Sequence, residues 1–459
     1  MRYRVFLNGQ SLPVQSCRVS AVPINRVWPG RQRPVEQTAD APFVSFDLPR
    51  ETDIQHPVLL TVQVIGAQIQ TAELRPKAAA IPFTPVQDGL DIQLTRPLSF
   101  TVEINGYTDA LCVFANPPVA RPQPSENLIY FGPGEHRVGI LRPRDNQTVF
   151  LEQGAVVYGG ILLQGVKNVH ICGRGILDGS ALKRTTPMYD QQPENLFVIR
   201  ESENVTVEGI ILQDAPCWAF TTRNGCRHIR IENVKLIGMW RYNADGFDIC
   251  NSYDVELCRC FVRSYDDCLV VRAPYLTGEE GGCEKIYLHD NVLWCDWGKN
   301  MEVWSGHKES LIIDVTFERN DCIRVCHHAV SIDTWYGSRN TRVENILYRD
   351  IRIQADSSPL VPCLEGEQLS PESAAARTQT VISVAVRKLG KILDNQQCDE
   401  TAECSDLSVR YKKLRFENIT IDGDARRFVS LFDSSRLAEP MEVRITGCDL
   451  GAVRWNEQS

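Results

Sequence analysis

The sequence predicts an all-β protein, a right-handed parallel β-helix preceded by an N-terminal β-sandwich. Three observations carry this. β-Rich runs recur after residue 125 at nearly constant spacing, the first ~120 residues hold shorter strands broken by turns, and no helical pattern of roughly 10–15 residues alternates with the strands, as a doubly wound α/β sheet would require. A chain of 459 residues is long for one core, so two domains are expected, residues 1–120 and 125–459.

In the first domain, strands are expected at Arg2 to Leu7, Phe43 to Leu48, Val58 to Ile65, Leu90 to Leu94 and Leu98 to Ile104, many of them separated by prolines. The stretch Asn116-Pro117-Pro118-Val119-Ala120-Arg121-Pro122-Gln123-Pro124 reads as an extended, semi-rigid linker. Trp28-Pro29-Gly30-Arg31-Gln32-Arg33-Pro34 places an aromatic ring and two guanidiniums in a turn-rich loop. It is either a surface loop with a packed Trp28, or a loop whose Trp28 and Arg31 reach over the second domain to substrate.

In the second domain the runs Asn204 to Val207, His228 to Ile231, Asp254 to Leu257, Lys285 to Leu288, Leu311 to Ile313 and Thr341 to Val343 begin 24, 26, 31, 26 and 30 residues apart. Asn168 to Ile171 precedes them; Leu414 to Phe416 and Glu442 to Ile445 follow. Alternation within each run gives one inward and one outward face. A fixed period implies coils that stack over a continuous core. Many runs end at an Asn or Asp before a second apolar run, as in Ile231-Glu232-Asn233-Val234-Lys235-Leu236. Two stretches break the period, Ser180 to Asn195 and Asp356 to Asp406, and both are expected to be loops.

The chemistry lies in Asn243-Ala244-Asp245-Gly246-Phe247-Asp248 and in Tyr265-Asp266-Asp267-Cys268, which sit one coil apart. Stacked coils would bring Asp245, Asp266 and Asp267 to one face. Like charges close together raise at least one pKa, so one carboxyl can donate a proton while another activates water. An Asp before Gly also caps turns, and an Asp pair also binds backbone amides; the joint occurrence favours catalysis. Asp248 is read as a turn cap and left out of the site.

On these residues the chain resembles the polygalacturonases of glycoside hydrolase family 28 and the dextranase and isopullulanase family, family 49. Gly173-Arg174-Gly175-Ile176-Leu177-Asp178-Gly179 is similar to a glycine segment of an early coil in family 28. The resemblance covers roughly residues 125–355; a sandwich before the β-helix is more like family 49. It implies an inverting glycoside hydrolase in which Asp266 protonates the leaving oxygen and Asp245 and Asp267 hold and deprotonate water.

The chain also departs from family 28. Where polygalacturonases carry Gly-His-Gly, it reads Trp297-Gly298-Lys299-Asn300, and where they carry Arg-Ile-Lys, it reads Val330-Ser331-Ile332. A guanidinium and an ammonium there would clamp a uronate carboxylate, so a neutral or differently charged sugar is as well supported as polygalacturonate. Trp240, Arg241, Trp297, Trp304 and Trp335 are candidate sugar contacts, since aromatic faces stack on the apolar face of a sugar ring. Each is equally a candidate for the core. Lys299, Glu302, His307 and His328 are polar groups expected near the same groove. His327 and His328 would alternate faces on a strand, so at most one enters it.

Composition narrows the alternatives. A net charge of −9 argues against nucleic acid as partner. No stretch approaches the ~20 apolar residues of a membrane span. Seventeen cysteines scattered through apolar runs, with no leader-like start, suggest a reduced, cytoplasmic protein with cysteines in its core. No cofactor and no metal is called for, because neither Cys258/Cys260 nor His327/His328 has paired ligand spacing. The expected partner is a carbohydrate substrate, and a homo-oligomer stays open. Exo action on oligosaccharides is expected if the period-breaking loops and Trp28 to Arg33 close the groove. A polysaccharide lyase on the same fold, with Lys299 or Arg241 as base, and a non-catalytic carbohydrate-binding solenoid are the alternatives.

Overall fold

The structure, a computed structural model, describes residues 2–21, 38–183, 195–273, 281–305, 310–335, 340–355, 379–387, 409–435 and 437–456. Among these the protein is all-β, with no α-helix and hence no helix able to cross a membrane. Two five-stranded sheets, nearly all antiparallel, are built between Arg2 and Asn116. Their facing sides enclose one apolar core, including Val5, Val44, Leu60, Val62, Ile92, Phe100 and Val113. Alternation produces this: in Val58–Ile65, Val58, Leu60, Val62 and Val64 are buried while Leu59 and Ile65 are exposed.

From Leu128 onward the chain winds into a parallel β-helix of three ladders. The first is an eleven-stranded sheet built from the recurrent runs. The other two share the nineteen-stranded sheet; they run through the short strands Ile176–Asp178 to Thr420–Asp422, and through Phe197–Arg200 to Ala452–Asn456. Inward residues stack in files, such as Phe197 on Phe220 at 4.6 Å and Phe220 near Phe247 at 5.2 Å.

A single residue at positive φ turns each coil from the first ladder to the second. Asn233, Asp290, Asp350 and Asn418 hold φ of 53 to 56°, and Arg259 takes 55°. Asn and Asp tolerate this left-handed region best among residues with a Cβ, which explains the Asn or Asp between paired runs.

The stretch expected as a long loop, Asp356 to Asp406, contains a full rung. Gln379–Arg387 pairs in parallel with His328–Trp335 and with Phe428–Asp433. Its Thr-Val-Ile-Ser-Val-Ala-Val run alternates like the others, but polar flanks on both sides hid it. Glu365 to Glu367 and Ser373 to Ala376 lie outside the described residues, as does most of Ser180 to Asn195. Of the described cysteines, all but Cys448 are buried. Several, such as Cys226, Cys260, Cys268 and Cys295, are core residues of the β-helix.

The sandwich is fixed to the β-helix by an apolar interface. Cys17, Val19, Phe43, Cys112 and Phe114 of one sheet pack on Ile211, Ile237, Phe261, Trp294 and Ile323 of the second ladder. Buried polar ties flank it, including Arg324 to Glu103 at 2.5 Å and Arg75 to Gln354 at 3.1 Å. The linker is laid against both domains: Arg174 Nη2 donates to Pro117 O at 2.5 Å, and Val119 N to Asp47 Oδ2 at 2.9 Å.

Candidate active site

Asp245, Asp266 and Asp267 occupy the same corner of consecutive coils, between the second and third ladders. The chain leaves Lys235–Ile237, turns through Asp245 and enters Phe247–Cys250; one coil later it leaves Phe261–Ser264, turns through Asp266 and Asp267 and enters Leu269–Ala273. Backbone bonds lock the two corners together. Asp266 N donates to Ala244 O at 3.2 Å, and Gly246 N to Asp267 O at 2.7 Å. The three carboxylates are buried, Asp245 almost completely.

The next coil closes on them through Gly298. A Cβ there would lie 2.5 Å from Asp266 Oδ1 and 2.6 Å from Asp267 Oδ1, so a side chain would collide with both carboxylates. Lys299 N donates to Asp267 Oδ1 at 2.8 Å.

Asp248 is not a turn cap. It lies inside the strand Phe247–Cys250, paired between Thr221 and Val270, and is fully buried. Phe247 and Ile249 fill the interior, so Asp248 faces outward on the side that carries Glu302 two rungs on. The adjacent outward file holds Cys250, Arg272, Trp304 and Asp333 in register.

Among the described residues, Arg272 and Lys299 contact the acids of this cluster directly. Arg272 Nη2 lies 3.2 Å from Asp248 Oδ1, 3.6 Å from Asp245 Oδ2 and 3.9 Å from Glu302 Oε2, and its guanidinium lies over Trp218 and Trp304 at 4.7 and 5.0 Å. Lys299 Nζ bonds Glu302 and lies 3.7 Å from Asp333 Oδ2 and 3.9 Å from Asp267 Oδ2. Burial raises the carboxyl pKa values. Asp266 is pushed up to about 6 by loss of water, against the pull of Lys299. Asp248 also reaches about 6 through burial, opposed by Arg272. Asp245 is driven well above the ordinary range by burial and then by Asp248, Asp266 and Asp267. Burial raises Asp267 and Glu302 too, with Lys299 opposing in both.

The other expected site residues are distributed unevenly. Trp240 is buried, donating Nε1 to Asp214 Oδ1 at 3.0 Å, and the partly exposed Arg241 is bound to the same residue at 2.8 Å. Trp304 is buried against Arg272 and Glu302 is 1% exposed within the ion-pair cluster, so neither presents a free surface to a sugar. Trp297 is partly buried and stacks on Tyr265 at 6.0 Å. His327 and His328 do not alternate: His327 precedes the strand His328–Trp335, and the two rings stack at 3.8 Å. His328 is buried and bonded to Thr380. Trp28, Arg31 and His307 lie outside the described residues; of Trp335 only the backbone is described.

Asp248, Arg272, Asp333 and Trp218 were not recognised in the sequence as parts of this cluster. An arginine inside the apolar strand Leu269-Val270-Val271-Arg272-Ala273 was the available signal.

Among the described residues, two groups of potential metal ligands lie elsewhere, on the outer face of the first ladder. In His170, Cys172, Glu208 and in Glu256, Cys258, His289, the ligand atoms fall within 4.8 Å of one another. The second group is occupied by ion pairs: Arg230 holds Glu256, and Asp290 holds His289 at 2.6 Å. The first borders a cleft of about 350 Å³ under Pro117 to Pro122. Neither includes the aspartates.

Comparison with known proteins identifies the family. The model of glycosyl hydrolases family 28 matches residues 152–428. "Probable exopolygalacturonase B" of Aspergillus terreus is 24% identical over 274 residues, covering 53% of this chain and 60% of that protein. "Probable endopolygalacturonase E" of Aspergillus niger is 25% identical over 183 residues, covering 38% and 43%. The chain thus spans less than two thirds of the length of these curated relatives. Among solved structures, Dex49A from Penicillium minioluteum superposes with a TM-score of 0.57 at 12% identity, covering all of this chain and 92% of that one. At that identity the likeness is one of fold.

Proposed function

Since the chain belongs to glycosyl hydrolases family 28, we propose that it hydrolyses O-glycosidic bonds of an oligosaccharide or polysaccharide with inversion, using Asp245, Asp266 and Asp267. The observation that carries this is the shared corner: three buried carboxylates from two adjoining coils, with raised pKa values. A buried trio of like charges retains protons near neutral pH, which is what a site needing both a proton donor and a base requires.

Environment supports a division of roles. Asp267 accepts the Lys299 amide, a bond that favours its ionised form and suits a base. Asp266, at about 6, keeps its proton in mildly acidic solution and is assigned as the acid for the leaving oxygen. Oδ1 of Asp245 is buried without a hydrogen-bond donor among the described residues, an acceptor suited to the attacking water.

Lys299 does not suit a lyase base. Its ammonium bonds Glu302 and faces Asp267 and Asp333, so it is engaged within the acid cluster. The substrate is proposed to be an oligosaccharide attacked from its end, as the names of the exopolygalacturonase relatives suggest. The test is a panel of neutral and uronic oligosaccharides with Asp266→Asn as blank, and proton NMR of the first-formed anomer. Retained configuration, or full activity in Asp266→Asn, contradicts the assignment.

A further inference from the structure

The N-terminal sandwich reaches the corner that carries Asp245. Arg18, in the strand Gln15–Ser20, is bonded through Nη2 to Asp214 Oδ2 at 2.5 Å, across 196 residues of chain. Asp214 Oδ1 also accepts from Trp240 Nε1 at 3.0 Å and is ion-paired with Arg241 Nη1 at 2.8 Å, which donates to the Asp214 backbone oxygen at 2.9 Å. One carboxylate therefore gathers three donors from two domains. The guanidiniums of Arg18 and Arg241 both lie over the Trp240 ring, at 4.7 and 4.9 Å. Cation–π contacts of this kind add to the charge-assisted bonds, so the cluster is tied by more than a surface ion pair.

Backbone contacts carry the tie toward the aspartates. Asp214 N donates to Gly238 O at 3.2 Å, at the start of the corner. Gly238 holds φ of 69°, and a Cβ there would meet Cys17 Cβ at 3.1 Å and Arg18 O at 3.3 Å, so the sandwich strand lies directly on it. Further along, Arg241 O accepts from Ala244 N at 3.1 Å and Ala244 O accepts from Asp266 N at 3.2 Å. Two hydrogen bonds thus link the clamped Arg241 to the backbone of Asp266, with Asp245 adjacent.

We infer that Arg18 and Asp214 are positioning residues, through which the sandwich clamps the corner Met239 to Tyr242 and so sets the placement of Asp245 against Asp266. The catalytic consequence rests on the hydrolase reading above; the clamp itself does not. Arg18→Ala leaves Asp214 paired with Arg241 and the apolar interface in place, so the fold is retained while this one interdomain tie is lost. Arg18→Lys keeps the charge but not the planar stack, and restores part of the effect.

The experiment is hydrogen exchange of the segment 239–248 together with kcat and KM, in wild type, Arg18→Ala, Arg18→Lys and Lys167→Ala; the last removes an exposed pair with Glu203 elsewhere on the β-helix. Arg18→Ala is expected to speed exchange in this segment and to lower kcat about tenfold or more with KM little changed, since small misplacements at reacting groups cost rate rather than binding. Arg18→Lys falls between, and Lys167→Ala matches wild type. Wild-type exchange in Arg18→Ala overturns the clamp. A raised KM with kcat kept also overturns it, because Arg18 would then touch substrate instead. Faster exchange in a protein whose wild type cleaves no sugar upholds the clamp and removes the hydrolase reading.

Discussion

Arg272 and Asp248 meet at 3.2 Å on neighbouring rungs, both buried, at the centre of the carboxylate cluster. The same guanidinium faces Asp245 and Glu302, so it compensates three acids at once. Arg272→Met removes that compensation without removing the acids. Breaking a buried pair from one side costs about 3–5 kcal/mol. Denaturant unfolding at pH 7 is expected to show a loss of that order, and Arg272→Lys a smaller one.

Asp245 is held at a cost to stability. Its native pKa lies well above the unfolded value because burial and neighbouring acids disfavour the charge. Between those two values the native state binds a proton that the unfolded state has released, so this group's contribution falls as pH rises. Asp245→Asn removes the group. Its melting temperature is expected to exceed that of wild type by about 2 °C or more near pH 8, with the gap shrinking as pH falls toward 4, while activity is lost.

Lys299 stabilises the ionised forms of both Asp266 and Asp267. In Lys299→Met both carboxyls rise further. The base then ionises at higher pH and the acid keeps its proton to higher pH, so both limbs of the kcat/KM profile move the same way. The bell is expected to shift upward by about one pH unit. A downward or absent shift is the contrary result.

Gly298 leaves room for two carboxylates. Gly298→Ala puts a methyl group within 2.6 Å of an oxygen of Asp266 and of Asp267. Both must move. A displacement near 1 Å at reacting groups costs about 10²-fold in rate, so kcat is expected to fall by that order; the methyl group would also lie 2.7 Å from the Asp266 carbonyl carbon, so the melting temperature is expected to fall as well.

Much of the fold was legible because a β-helix repeats its own rules. Asn204 to Val207 and His228 to Ile231 show inward and outward faces directly, and they are rungs of the first ladder. Gln379–Arg387 was missed because the period broke before it. Asp248 was misread because Asp near Gly suggests a turn, whereas alternation from Phe247 already set it on a strand face. His327 and His328 were expected to diverge, but the strand begins only at His328, so the alternation rule does not reach back to His327.

Period and alternation are local properties, and they alone establish stacked coils, an apolar interior and Asp245 one turn of the solenoid before Asp266 and Asp267. Which charges meet across coils of unequal length is not local. Arg272 against Asp248, Lys299 among Glu302, Asp267 and Asp333, and Arg18 on Asp214 are contacts of packed rungs and packed domains. Burial there, rather than residue type, sets how tightly each acid holds its proton.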